Sequence, residues 1–221
     1  MVSAAITLLK HQETIKEAIY CKEQGTLIGL ASDFCLRFSE IPLFIKIMEV
    51  CPIPDLEIEE LLTGLRRTLL LERNKLSITH DLLSFQSALA LQCFTNEFIY
   101  EETEEETIAI QSLEASLQQS FSKNEEPLSY DIACLASYRS LFEYPWATNV
   151  TPAPALELLF KRQVTEANQE RLLKEGIPSL NPVKNDVSVA VQNQYEENPY
   201  PRWVNTDLEL SLIHISEPTR Q

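Results

Sequence analysis

Apolar side chains recur at helical spacing through most of the first 175 residues of this 221-residue chain. In residues 58–69 they fall at i, i+3, i+4, i+7 and i+11, while glutamates and arginines occupy the other faces. Asp55, which follows Pro54, offers an N-cap oxygen to the first free amides of this segment. The pattern therefore predicts an amphipathic helix that begins close to residue 55.

A second segment, residues 81–100, is apolar on two faces, which is typical of a helix at the centre of a bundle. Further helices are predicted at residues 11–24, 27–39, 41–50, 107–120, 128–142 and 155–174, with prolines between most of them. No period of 33 to 47 residues marks a helical repeat array. The predicted fold class is all-α, an irregular helical array.

The pattern changes at Gly176, where "GIPSLNPVKND" has two prolines and no periodicity. The next stretch, "DVSVAVQNQYEEN", fits an alternating strand and also a helix capped by Asp186. We expect a helical domain at residues 1–175 and a connector with an aromatic and proline-rich strip at residues 176–209. Residues 210–221 are set apart for the reason given below.

Composition excludes several classes of protein. Hydrophobic residues make up 44% of the chain, which favours a packed core, and the net charge of −15 argues against binding nucleic acid or an anionic membrane surface. No uncharged apolar stretch approaches the roughly 18 residues that a membrane span needs, and the first residues do not form a signal peptide. A cytoplasmic location is expected.

Catalytic and metal-binding motifs are missing from the sequence. The four glycines form no phosphate-binding turn, and the five cysteines contain no Cys-x-x-Cys pair, so buried, reduced thiols are expected. Cys93 is interpreted as a core thiol. The acidic run at residues 101–106 is interpreted as a helix start, because Thr103 and Glu106 have capping-box spacing. The basic pairs at residues 66–67 and 161–162 are expected to be solvated or ion-paired.

Three stretches nevertheless resemble a known family. They are "ELLTGLRRTLL" at residues 60–70, "ALQCFTNEFIYEETEEE" at 90–106 and "VQNQYEENPYPRWV" at 191–204. In this order they resemble the N-terminal helical region of bacterial class I S-adenosylmethionine-dependent methyltransferases of type 12. The resemblance spans about residues 55–204. It implies a Rossmann-like catalytic domain further on, and relatives often have tetratricopeptide repeats further upstream.

The Gly-rich turn of such a catalytic domain does not follow in this sequence. Residues 210–220, "LSLIHISEPTR", are instead similar to the translation of a transposase-based sequencing adaptor. We therefore expect the native part of this sequence to end near Glu209, and we interpret residues 210–221 as an artefact.

Within the third stretch, two residue–proline pairs favour extended backbone, so the strip is expected to be stiff. One hypothesis makes it a lid over the cofactor and substrate cleft, in which aromatic rings exclude water and an arginine binds a carboxylate. The favoured alternative is a structural clasp between domains. The candidate residues are Tyr195, Asn198, Tyr200, Arg202 and Trp203.

The resemblance implies that the chain is the accessory part of a methyltransferase and is not catalytic by itself. S-adenosylmethionine would be the cofactor of the intact protein, and none is expected for this fragment. The expected partners are its own missing catalytic domain and an unknown methyl acceptor, with self-association through exposed apolar surface. The alternative is an acidic helical scaffold that binds protein partners and has no enzyme domain.

Overall fold

Helices dominate the computed structural model, which describes residues 2–176 and the side chains of residues 4–174 and 176. The α-helices are α1 Val2–Lys10, α2 Glu13–Glu23, α3 Ala31–Ser39, α4 Pro42–Val50, α5 Leu56–Leu71, α6 His80–Thr95, α7 Glu104–Ser122, α8 Ser129–Ala136, α9 Glu157–Phe160 and α10 Ala167–Gly176. Short 3₁₀ turns lie at Leu27–Leu30, Arg73–Lys75, Leu141–Glu143, Pro145–Asn149 and Pro154–Leu156. No strand occurs in residues 2–176, so the predicted all-α class is confirmed.

Helix α5 begins as its sequence predicts. The Asp55 carboxylate accepts a hydrogen bond of 3.2 Å from the backbone amide of Ile58, which satisfies one of the free N–H groups at the helix start. The periodic apolar residues of α5 are buried, and its polar face includes Glu57 and Glu59 near the positive end of the helix dipole.

Helix α6 is the centre of the array, as its two apolar faces predict. It packs against α3, α4, α8 and α9. Because it is enclosed, its polar side chains need partners inside the protein. Gln86, for example, is buried and donates a hydrogen bond of 2.8 Å to the Ser137 hydroxyl, just beyond α8.

The predicted length of α6 was wrong at its C-terminal end. The helix ends at Thr95 and not at residue 100, because Glu97 and Phe98 adopt φ values of +60° and +56°. The Phe98 amide donates a hydrogen bond of 2.7 Å to the Cys93 carbonyl, five residues earlier, as in the Schellman motif at the C-terminus of many helices. Apolar periodicity continues past Thr95, so it gave no sign of this stop.

Other helices also differ from their predicted bounds. Helix α8 ends at Ala136 and not at residue 142, and a helix at Val2–Lys10 was not predicted at all. The predicted helix at residues 155–174 is present only in pieces, because Lys161–Glu166 adopts π-helical geometry between α9 and α10.

The π-helical turn places a buried glutamine against the open end of α8. The side chain of Gln163 accepts a hydrogen bond of 3.1 Å from the Leu141 amide and donates one of 3.0 Å to the Ala136 carbonyl. These backbone groups have no helical partner where α8 stops, so one side chain satisfies both. Within residues 2–176, no helix is both long enough and apolar enough to cross a membrane.

Substitution of two isoleucines in α7 tests which face of this helix packs against the core. Ile110 is 0% exposed and Ile108 is 62% exposed on the same helix. Ile110→Ala should lower the free energy of unfolding by about 2–5 kcal/mol, because it removes buried methyl groups and leaves a cavity. Ile108→Ala should change it by less than about 0.5 kcal/mol. Urea denaturation of both variants checks this, and similar losses would contradict the assigned packing face of α7.

Candidate functional site

The five residues proposed from sequence as a lid or clasp lie outside the described residues. They are Tyr195, Asn198, Tyr200, Arg202 and Trp203. Their roles, and the placement of S-adenosylmethionine beside them, therefore stay predictions. The described part of the chain offers two other places where side chains converge: a buried ion cluster and an aromatic cleft.

The buried ion cluster joins the first two stretches of the resemblance. Arg66 of α5 is only 2% exposed, and its Nη2 donates to the Glu101 carbonyl at 2.6 Å, in the loop before α7. Its guanidinium carbon lies 4.1 Å from the ring centroid of Tyr138, a cation–π arrangement. Of the two predicted states for this arginine, ion-paired is confirmed and solvated is wrong.

Glu106 is the anion of the buried ion cluster. Its carboxylate accepts hydrogen bonds from the Tyr138 hydroxyl at 2.6 Å, the Thr103 amide at 2.9 Å and the Arg67 Nε at 3.0 Å. The Nη2 of Arg66 lies 3.6 Å from the same carboxylate. Burial would raise the pKa of Glu106, but these donors outweigh burial and hold the pKa below its ordinary value.

The predicted capping box at the start of α7 is therefore confirmed, and it has a second role. The Thr103 side chain accepts from the Glu106 amide while the Glu106 carboxylate accepts from the Thr103 amide. The same carboxylate is the counter-charge for two arginines of α5. Sequence spacing indicated the cap, but nothing local indicated the counter-charge.

A second ion pair supports the same loop. Arg139 binds Glu102 through both terminal nitrogens, at 2.8 Å and 3.0 Å. Hydrogen bonding from Arg139 lowers the pKa of Glu102, and the glutamate raises that of the arginine in return. Arg139 lies beyond the end of α8, so this pair fixes the chain after α8 to the chain before α7.

These contacts indicate that the buried ion cluster is structural. Its carboxylates and arginines bind one another and the backbone. Within residues 2–176, no set of three or more His, Cys, Asp or Glu side chains could hold a metal ion. Burial raises the pKa of the neighbouring Cys93 to about 12, so this thiol is not a thiolate near neutral pH. The prediction that Cys93 is a core thiol is confirmed.

The aromatic cleft lies at the other end of α7 and has a volume of about 470 Å³. Buried apolar side chains form its floor and exposed polar ones its rim. The floor is formed by Ile132, Leu156 and Phe160, one wall by Trp146 and Phe121, and the rim includes Asn124, Glu125, Glu126, Asn149 and Thr151. A concave apolar site with a few polar groups is the usual form of a binding pocket.

The walls of the aromatic cleft are held by stacked rings. Trp146 stacks on Phe121 with centroids 4.5 Å apart and on Tyr144 with centroids 5.3 Å apart. The Tyr144 hydroxyl donates in turn to the Glu114 carboxylate on α7. Such stacked pairs fix ring orientation, so this wall of the cleft is preformed.

Sequence analysis missed the aromatic cleft. The stretch "EYPWATNVTPAP" at residues 143–154 is dense in prolines and aromatic rings, but its prolines were used only to separate helices. That density was the available signal, because proline restricts the backbone and aromatic rings carry large apolar surfaces. The stretch itself does not indicate which helices form the rest of the cleft.

The buried ion cluster makes a direct prediction for Glu106. Glu106→Gln should cost about 3–5 kcal/mol of the free energy of unfolding at pH 7, because it leaves Arg66 buried without its counter-charge. Since the pKa of Glu106 is lowered by folding, its contribution is present above the ordinary glutamate pKa and is lost as pH falls through the folded-state pKa. The difference between the two proteins should therefore shrink below about pH 4.5.

Urea denaturation at pH 7 and at steps down to about pH 3 measures this difference. Glu105→Gln is the matched control, because Glu105 is exposed on the same turn of α7 and should cost less than about 1 kcal/mol. Equal losses in the two variants, or a difference that does not change with pH, would contradict the central role of Glu106.

No family model, no curated protein and no solved structure matches the chain. The likeness to type 12 methyltransferases therefore rests on the three sequence stretches. Two of those stretches meet at the buried ion cluster, and the third lies outside the described residues.

Proposed function

We propose that this chain is the N-terminal accessory part of a cytoplasmic S-adenosylmethionine-dependent methyltransferase. The observation that supports the proposal is the direct contact between residues 60–70 and 90–106, two stretches that resemble that family. Arg66 and Arg67 of the first bind Glu101 and Glu106 of the second. The two stretches that resemble the family therefore pack against each other within one helical domain.

In this proposal, methyl transfer belongs to a Rossmann-like domain encoded beyond residue 209. That domain would supply the Gly-rich turn that binds the cofactor, and the methyl group would pass in line to an oriented nucleophile. The helical residues contribute a rigid platform, since their charged groups are engaged in holding α5, α7 and α8 together.

The second candidate is an acidic helical scaffold that binds partners and has no enzyme domain. Exposed apolar side chains favour it, since Leu56, Ile99 and Leu128 are each at least two-thirds exposed. The same side chains would permit self-association in either candidate. Sedimentation of the chain at several concentrations measures that association directly.

The decisive experiment is to read the source DNA past the codon for Glu209 and to express the extended protein. The proposal expects a short apolar strand, a Gly-x-Gly turn and an acidic residue about 20 positions later. Equilibrium dialysis with labelled S-adenosylmethionine should then show binding at micromolar concentration by the extended protein and none by the 221-residue chain. A stop codon at that position would favour the scaffold.

The extended protein also separates the lid from the clasp. Arg202→Ala and Trp203→Ala should weaken cofactor binding about tenfold or more if these side chains contact the ligand. If they only clasp the domains, cofactor affinity should be unchanged while the thermal unfolding midpoint falls. Lys161→Ala, an exposed substitution elsewhere, is the control for both measurements.

A further inference from the structure

The aromatic cleft combines an apolar floor with uncompensated negative charge. Glu125 and Glu126 line it, and no Lys, Arg or His among the described residues does so. Within residues 2–176, neither carboxylate has an ion-pair or hydrogen-bond partner. Lys123 precedes the lining residue Asn124 but does not itself line the cleft. Two acids of α7 differ, since Glu106 and Glu114 are bound by neighbouring side chains.

The end of α7 brings this charge to the cleft. Asn124 adopts φ of +56°, and the Glu125 amide donates back to the Ser120 carbonyl at 2.9 Å, which turns the chain sharply. Glu125 therefore sits beside the negative end of the helix dipole, where a carboxylate is disfavoured. Glu126 lies ahead of α8, whose positive end offsets part of its charge. An approaching cation would relieve the unfavourable contact at Glu125.

A neighbouring cleft extends the surface. It has a volume of about 230 Å³ and shares Val150, Pro152 and Phe160 with the aromatic cleft. Its lining also includes Glu157 and Lys161, and the Lys161 ammonium lies 3.7 Å from the Glu166 carboxylate. The combined volume of the two clefts is larger than one small cation would fill, which favours a peptide over a small amine as the ligand. A second copy of this chain is disfavoured, because each copy has a net charge of −15.

We propose that the aromatic cleft binds a basic peptide segment, with the stem of a lysine or arginine on the apolar floor and its charged head at Glu125 and Glu126. Long basic side chains bury their methylene groups and keep the charge in water, which matches an apolar floor below an acidic rim. The two glutamates supply charge complementarity, and the stacked rings supply a preformed wall. This inference does not depend on whether a methyltransferase domain follows.

Fluorescence anisotropy with a labelled Gly-Leu-Lys-Leu-Lys-Gly peptide tests the proposal, with glutamate or norleucine replacing lysine in matched peptides. We expect the lysine peptide to bind with the highest affinity, and we expect this affinity to fall as the salt concentration rises from about 50 to 300 mM. Glu125→Gln/Glu126→Gln should weaken its binding about fivefold or more. Glu104→Gln/Glu105→Gln makes the same change in net charge on the exposed start of α7 and should leave binding unchanged.

Nuclear magnetic resonance locates the site. The chain has two tryptophans, and the indole N–H signal assigned to Trp146 through a Trp203→Phe variant should shift on titration. Equal weakening in the two double variants would overturn the proposal, because it would mean nonspecific attraction to an acidic protein. So would equal binding of the norleucine peptide, no binding of any peptide, or displacement of the peptide by self-association.

Discussion

Burial of the Arg66 guanidinium is the constraint on which the arrangement of this helical array depends. An arginine removed from water must find a counter-charge and acceptors for its donors, or it costs several kcal/mol. Arg66 on α5 has its counter-charge in Glu106 at the start of α7 and an acceptor for Nη2 in the Glu101 carbonyl, and its guanidinium lies over the ring of Tyr138 beyond α8. Its buried Nε has no hydrogen-bond partner among the described residues. Three separate parts of the chain must therefore come together at one point, which fixes where α7 starts relative to α5 and α8.

Polar side chains also decide how helices end inside the array. Helix α8 stops at Ala136 in a region too enclosed for water to satisfy its last carbonyls. Gln163, in the π-helical turn, donates a hydrogen bond to the Ala136 carbonyl in place of water, and Gln86 of α6 donates one to the nearby Ser137 hydroxyl. Each buried hydrogen bond of this kind selects one packing among several that apolar contacts alone would allow, because a misplaced alternative leaves its donor and acceptor unsatisfied.

The two ends of α7 show how similar residues serve different purposes. At its start, Glu106 is enclosed and bound by several donors, so its charge stabilises the fold. At its end, Glu125 and Glu126 are exposed beside an apolar floor, with no partner in the described part of the chain. A charge that folding leaves unpaired beside a concave apolar surface is available for recognition. The proposed accessory role and the proposed basic peptide therefore concern the start of α7 and the loop that follows its end.

The sequence by itself determined most of the helices, their buried faces and two of their caps. These features are local: helical spacing places Ile58 and Leu65 on one side, and Asp55 and Thr103 each lie three residues from the amide they cap. The tertiary structure alone decided the early end of α6, the burial of Arg66, the second role of Glu106 and the aromatic cleft. Each of these depends on groups 20 or more residues apart or on backbone conformations that apolar periodicity does not encode, so only the packed chain could bring them together.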